Sequence, residues 1–79
     1  MNQYNDKGQQ HGTWEEYYYS NGQLCSKGNY NNGQQHGLYE NYHKNGQLHY
    51  RGKYHNGNPI GLWEDFDLDG ELESIEFFI

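Results

Sequence analysis

Glycine, asparagine and aromatic residues recur in this chain at one spacing, and that spacing limits what it can fold into. Gly22, Gly46 and Gly70 stand 24 residues apart, as do Leu24, Leu48 and Leu72, and then Tyr30, Tyr54 and Phe78. Gly28 with Gly52, and Gly33 with Gly57, keep the same interval. A period shared by so many positions means one structural unit used several times, each unit stacked on the next. The stretch from Gly37 to Gly61 is the fullest copy. The expected division of one 79-residue domain is a partial repeat over 1–12, repeats over 13–36 and 37–60, and a truncated repeat over 61–79.

Each unit reads as a β-hairpin. Thr13 to Ser20 is rich in Trp and Tyr, has no helical apolar stripe, and runs into Asn21-Gly22, a strong hairpin signal. The returning strand alternates, with Leu24, Ser26, Gly28 and Tyr30 on one face and Cys25, Lys27 and Asn29 on the other. A loop of Ser20-Asn21-Gly22 then predicts Tyr18 opposite Leu24, Glu15 opposite Lys27, and Trp14 opposite Gly28, where the ring covers bare backbone. Copy one carries one more residue between Trp14 and Gly22 than copy two between Tyr39 and Gly46, which predicts a bulge or a changed loop. Asn32-Gly33 and Asn56-Gly57 mark further hairpin turns between copies. The opening Tyr4-Asn5-Asp6-Lys7-Gly8-Gln9-Gln10-His11-Gly12 matches Tyr30 to Gly37 apart from one inserted residue, which makes the N-terminus part of the array.

Connected hairpins without crossovers predict an all-β fold: an antiparallel hairpin meander of about three 24-residue repeats in one elongated twisted sheet. A chain this short buries little core. Leu, Ile, Val and Phe number only 12, with no Val, which alone points toward disorder, but nine Tyr and two Trp at repeat positions reverse that reading. With no helix expected, the two faces need aromatic ladders, curvature or another chain to stabilise them.

Charge is unevenly placed. Residues 64–79 hold seven acids (Glu64, Asp65, Asp67, Asp69, Glu71, Glu73, Glu76) and no base, whereas residues 1–63 hold four acids and five bases. No apolar run is long enough to span a bilayer, and Met1 to Asp6 lacks the basic and apolar regions of a signal peptide, so a cytoplasmic location is expected. The single cysteine, Cys25, excludes an internal disulfide and reads as a small half-buried residue.

The pattern Gly37-x-Tyr39-x-x-Tyr42, Asn45-Gly46-x-Leu48, Gly52-x-Tyr54, Gly57 and Gly61 resembles the MORN repeat, in the variant found in bacterial proteins described as antitoxin components. Glu76 departs from it, standing where Gly28 and Gly52 stood, and the chain stops before a closing glycine turn. The resemblance implies a β-hairpin scaffold for protein–protein contacts and does not imply a catalytic residue; no cofactor is expected. Phospholipid binding, proposed for eukaryotic relatives, fits poorly, because five bases against eleven acids form no polybasic surface.

Candidate sites follow from the same positions. His11, His36, His43, His49 and His55 show no ligand spacing with a Cys or carboxylate and read as solvated turn residues, so no metal is expected. Glu15, Glu40 and Glu64 recur in register and read as cross-strand partners of Lys27 and Arg51. The partner-binding strip is expected to be Trp14, Tyr17, Tyr18, Tyr39, Tyr42, Tyr50, Tyr54, Trp63 and Phe66, against the plainer reading that these rings pack on one another. No nucleophile–base set, phosphate loop or metal cluster is visible, so the chain reads as a non-enzymatic module that binds another protein, of antitoxin or inhibitor type. The alternative is a nucleotide or single-stranded nucleic acid stacked on the tyrosines beside Arg51 and Lys53. In the last strand Ile75 and Phe77 replace polar residues while Leu72 and Phe78 keep the original face. Both faces are then apolar, and the expectation is a homodimer through Ile75, Phe77, Phe78 and Ile79.

Overall fold

The computed structural model describes residues 2–79; Met1, the first residue of the partial repeat, lies outside them. Seven strands follow in chain order: β1 (Gln3–Tyr4), β2 (Gln10–Tyr17), β3 (Leu24–Asn31), β4 (Gln34–Tyr42), β5 (Leu48–His55), β6 (Asn58–Phe66) and β7 (Leu72–Phe78). They make one antiparallel sheet in the order β1 to β7, the meander that the repeat implies. Each strand pairs with its sequence neighbours because the turns between them are too short to reach elsewhere. The principal extents are 41 × 35 × 11 Å, a plate one layer thick. The elongation of a hairpin array has barely begun at this number of strands.

Two kinds of turn alternate along the plate. Asn32-Gly33 and Asn56-Gly57 close two-residue turns with φ of 52° and 88°, and of 50° and 87°, the doubly positive geometry that Asn-Gly tolerates best. At the other end, His43–Gln47 and Asp67–Glu71 form five-residue loops. Gly46 N donates to His43 O at 3.0 Å, and Gly70 N to Asp67 O at 3.0 Å. Copy one uses its extra residue here. Gly22 N donates to Tyr18 O and Tyr18 N to Gln23 O, both at 2.9 Å, so the loop is wider than the Ser20–Gly22 loop that the spacing predicts. The N-terminal insertion also changes the turn: Asn5–Gln9 closes with Gly8 N on Asn5 O at 3.0 Å, like His43–Gln47 rather than like Asn32-Gly33.

Trp14 pairs with Gly28 and Glu15 with Lys27, as expected, but after Glu16 opposite Ser26 the register shifts and Tyr17, not Tyr18, meets Leu24. Cys25 is the extra residue of a bulge. The same shift sets Tyr42 opposite Leu48, with His49 extra, and Phe66 opposite Leu72, with Glu73 extra. Directly opposed residues share a face, and one added residue inverts a period of two. Leu24, Leu48 and Leu72 therefore lie on the face of Lys27 and Arg51, which corrects the simple alternation. Leu72 joins Ile75 and Phe77 rather than Phe78.

No apolar side chain is fully buried among the described residues, and the one buried polar side chain is Ser26. Stability has to come from the ladder of strand hydrogen bonds and from half-buried side chains on the two faces.

Candidate interaction faces

One face is a ladder of rings. Trp14, Gly28, Tyr39 and Gly52 stand opposite one another in a row across β2 to β5, and the row resumes with Trp63 opposite Glu76. The glycines are where rings from the next strand come down. A Cβ built on Gly28 would meet Tyr39 Cδ1 at 2.7 Å, and one on Gly52 would meet Trp63 Cδ2 at 2.0 Å. A ring does lie over the glycine, but at Gly28 the nearest ring is that of Tyr39, from the following repeat, while Trp14 is the residue paired opposite. Other rings stand edge-on: Tyr4 to Trp14 at 5.2 Å, Tyr54 to Trp63 at 5.1 Å and Tyr39 to Tyr54 at 5.8 Å between centroids. These T-shaped contacts stabilise by about 0.5–1.5 kcal/mol each beyond burial. Burial, with Tyr39 and Tyr54 close by, pushes the Tyr50 phenol up to about 12. Burial also raises Tyr30, Tyr42 and Tyr54.

The opposite face carries a charged row: Glu15, Lys27, Glu40, Arg51, Glu64 and then Ile75, each opposite the next. Glu15, Glu40 and Glu64 are therefore the cross-strand partners of Lys27 and Arg51. Arg51 Nε donates to Glu64 Oε1 at 2.8 Å, and its guanidinium lies 5.7 Å from the Phe66 ring centroid. The Tyr17 and Tyr42 hydroxyls donate to Glu15 and Glu40 at 3.2 Å, and that bond is the chief reason the Tyr17 phenol is raised. Toward β7 the same face turns apolar, with Leu38, Ile60, Leu62, Leu72, Ile75 and Phe77 all exposed.

The expected strip is therefore divided. Trp14, Tyr39, Tyr50, Tyr54 and Trp63 share the ladder face with Tyr4, Tyr30 and Phe78, which the repeat spacing could have included. Tyr17, Tyr42 and Phe66 lie on the charged face, and the Tyr18 hydroxyl is tied to Tyr42 O at the turns. Ile75 and Phe77 share the charged face, Phe78 faces Trp63 at 6.2 Å, and Ile79 lies beyond β7. Arg51 and Lys53 sit on the side opposite Tyr50 and Tyr54, so the constellation proposed for nucleotide stacking is not assembled.

Consecutive turns are laced together. Asn21 Nδ2 donates to Lys44 O and Asn45 Nδ2 to Leu68 O, both at 2.8 Å, while His43 Nε2 meets Phe66 O at 2.9 Å. His43 also stacks on His49 at 4.1 Å, so these two are packed rather than merely solvated. His36 likewise lies 5.2 Å from His55 between ring centroids.

Residues 65–76 carry a calcium-loop spacing, D-x-D-x-D-G followed by Glu76, that a reading centred on the repeat passes over. The hairpin pulls it apart. Asp65 pairs with Ser74 on the ladder face and Glu76 stands opposite Trp63, leaving Asp67, Asp69 and Glu71 within 4.8 Å of one another at the turn. Asp67 Oδ1 is already occupied by the amides of Asp69 and Glu71, at 2.9 and 3.0 Å. The carboxylates that a calcium loop brings to one ion are spread over a turn and two strands.

A family model described as MORN repeat variant matches residues 10–32 and 35–57, which are the β2–β3 and β4–β5 hairpins and more than half of the chain. No curated protein and no solved structure matches the chain. The β6–β7 hairpin, outside both matched segments, repeats the same register and bulge.

Proposed function

This chain belongs to the MORN repeat family, in its variant form, and from that premise we propose that it binds another protein through the ladder face and the acidic C-terminal end, as an inhibitor or antitoxin does. MORN repeats are interaction modules, typically non-catalytic. The observation that carries the reading is a plate 11 Å thick whose ladder rings stay only partly buried, on a face that no other layer covers among the described residues. Such apolar area is stabilised by a partner. The seven acids of residues 64–79 favour a basic one and speed encounter with it. Photo-crosslinkers placed at Tyr54 on the ladder face and at Lys27 on the other test the reading in the native host. Crosslinks to one protein from Tyr54 alone support it, and crosslinks from Lys27 alone overturn it. Steering by the acidic end predicts an association rate that falls between roughly 50 and 500 mM salt, and a flat profile removes it.

A second surface concerns self-association. Among the described residues β7 has one sheet neighbour, β6, and exposes 61% of Ile75 and 71% of Phe77. A two-fold pairing of β7 with its copy, centred on Ile75, sets Glu71 opposite Ile79, Glu73 opposite Phe77 and Glu76 opposite Ser74. No carboxylate then meets another. Sedimentation that shows a dimer, lost in an Ile75→Lys, Phe77→Lys variant, supports this pairing; a wild type that stays monomeric at tens of micromolar rules it out.

A further inference from the structure

The ladder face ends in a notch that the repeat does not fill. In the row of rings and glycines, Trp63 is followed by Glu76. At Gly52 even a Cβ would come within 2.0 Å of the Trp63 ring, so a residue with a side chain at this position of β7 leaves no seat for a further ring of that kind. What stands there is a carboxylate. Trp63 lies on the Gly52 backbone as a floor, and Tyr54 and Phe78 rise from it at 82° and 74°. Beside that floor opens a concavity of about 300 Å³ lined by Tyr50, Trp63, Asp65, Ser74, Glu76 and Phe78. Two of these residues hold a buried polar atom without a hydrogen-bond partner: Trp63 Nε1 and Asp65 Oδ1.

Resting on the reading above that the ladder face binds a basic protein, we propose that this notch receives an arginine side chain of that partner. A guanidinium is flat, stacks on an indole, and is more weakly hydrated than an ammonium, so it suits a notch with an aromatic floor. Asp65 and Glu76 supply the opposing charge and accept its N–H groups. Arg51 is held by Glu64 on the other face, and His49 Nε2, at ion-pair distance of 3.7 Å from Asp65 Oδ1, is the resident group that an incoming guanidinium has to displace. The other copies offer no such place. The space beside Trp14, where Glu16 stands in the place of Asp65, is only about 20 Å³, closed by Tyr39 over Gly28, and in the middle copy Asn41 takes that place.

The chain has two tryptophans, so the indole N–H signals in a nitrogen–proton correlation spectrum give a site and a control in one titration. Trp14 Nε1 donates to Gln3 O at 3.0 Å and serves as the control. With the capped tripeptide Gly-Arg-Gly, the Trp63 signal should shift to saturation while Trp14 stays in place. The same peptide with Gln for Arg should move neither. In an Asp65→Asn, Glu76→Gln variant with unchanged spectral dispersion, binding should weaken about tenfold, the loss expected for charged hydrogen bonds. No shift of Trp63 up to the solubility limit, equal shifts of both indoles, or undiminished binding by the variant each overturn the proposal. Tyr54 crosslinks that persist alongside any of those results leave the interaction-module reading standing and remove the arginine site alone.

Discussion

The β4–β5 hairpin and the β6–β7 hairpin share a backbone, down to the bulges at His49 and Glu73, yet they differ wherever the earlier one touches its successor. Gly52 accepts the Trp63 ring, Asn45 donates to Leu68 O, and Arg51 pairs with Glu64. The positions 24 residues on hold Glu76, Asp69 and Ile75. Each middle-repeat residue is therefore chosen by what arrives from the next strand rather than by its own strand. The repeat pattern is a record of contacts between hairpins, and its departures mark where the contact changes chemistry.

The sharpest way to break this comparison is at the ring seats. Gly52→Val forces the Trp63 ring off the sheet and should cost about 3 kcal/mol or more, whereas Glu76→Val should stay within about 0.5 kcal/mol. Urea unfolding of the two variants measures the difference, and equal effects would refute the ring-seat argument.

Alkaline unfolding separates the hairpins next, because Tyr50 and Tyr54 of the middle one correspond to Ser74 and Phe78 of the last. The Tyr50 phenol rises from its ordinary 10.0 to about 12 in the fold, mainly through burial. An unfolded chain then loses its proton first as pH rises, so the stability that Tyr50 provides is complete below pH 10 and disappears as pH approaches 12. Thermal melts across that window should fall steeply for the wild type and less so for Tyr50→Phe. Parallel profiles would mean that Tyr50 does not govern the transition.

Smaller effects belong to the turns and the charged row. Asn45→Ala removes the amide that holds Leu68 O and should lower stability by about 1 kcal/mol, while Asp69→Ala should change it little. The comparison fails if both cost the same in denaturant titrations. Arg51→Ile, which copies Ile75, should cost only about 0.5 kcal/mol, since the pair with Glu64 is partly exposed, and the cost should shrink in 1 M salt.

Much of this architecture was legible in residue order. Asn32-Gly33 and Asn56-Gly57 announce their turns through the positive φ both residues tolerate, and Trp14 opposite Gly28 and Glu15 opposite Lys27 follow from counting back from a turn. Counting failed at Leu24, because nothing local distinguishes a regular pair from the bulge at Cys25. The division of the strip into Trp14, Tyr39 and Trp63 on one face and Tyr17, Tyr42 and Phe66 on the other was legible all the same, since each pair stands three residues apart on one strand and a period of two puts such residues on opposite faces.

Sequence by itself determined the unit, its repetition, the strand order and the turn positions, since these depend on contacts a few residues apart and on short connections that allow one neighbour only. Tertiary structure alone decided which face each side chain occupies past a bulge, which strand supplies the ring over each glycine, and where the ladder opens into a carboxylate-lined notch. Those outcomes depend on cross-strand hydrogen bonding and on side-chain volumes meeting across residues about 11 apart, as Gly28 and Tyr39 do, and a local pattern does not encode such meetings.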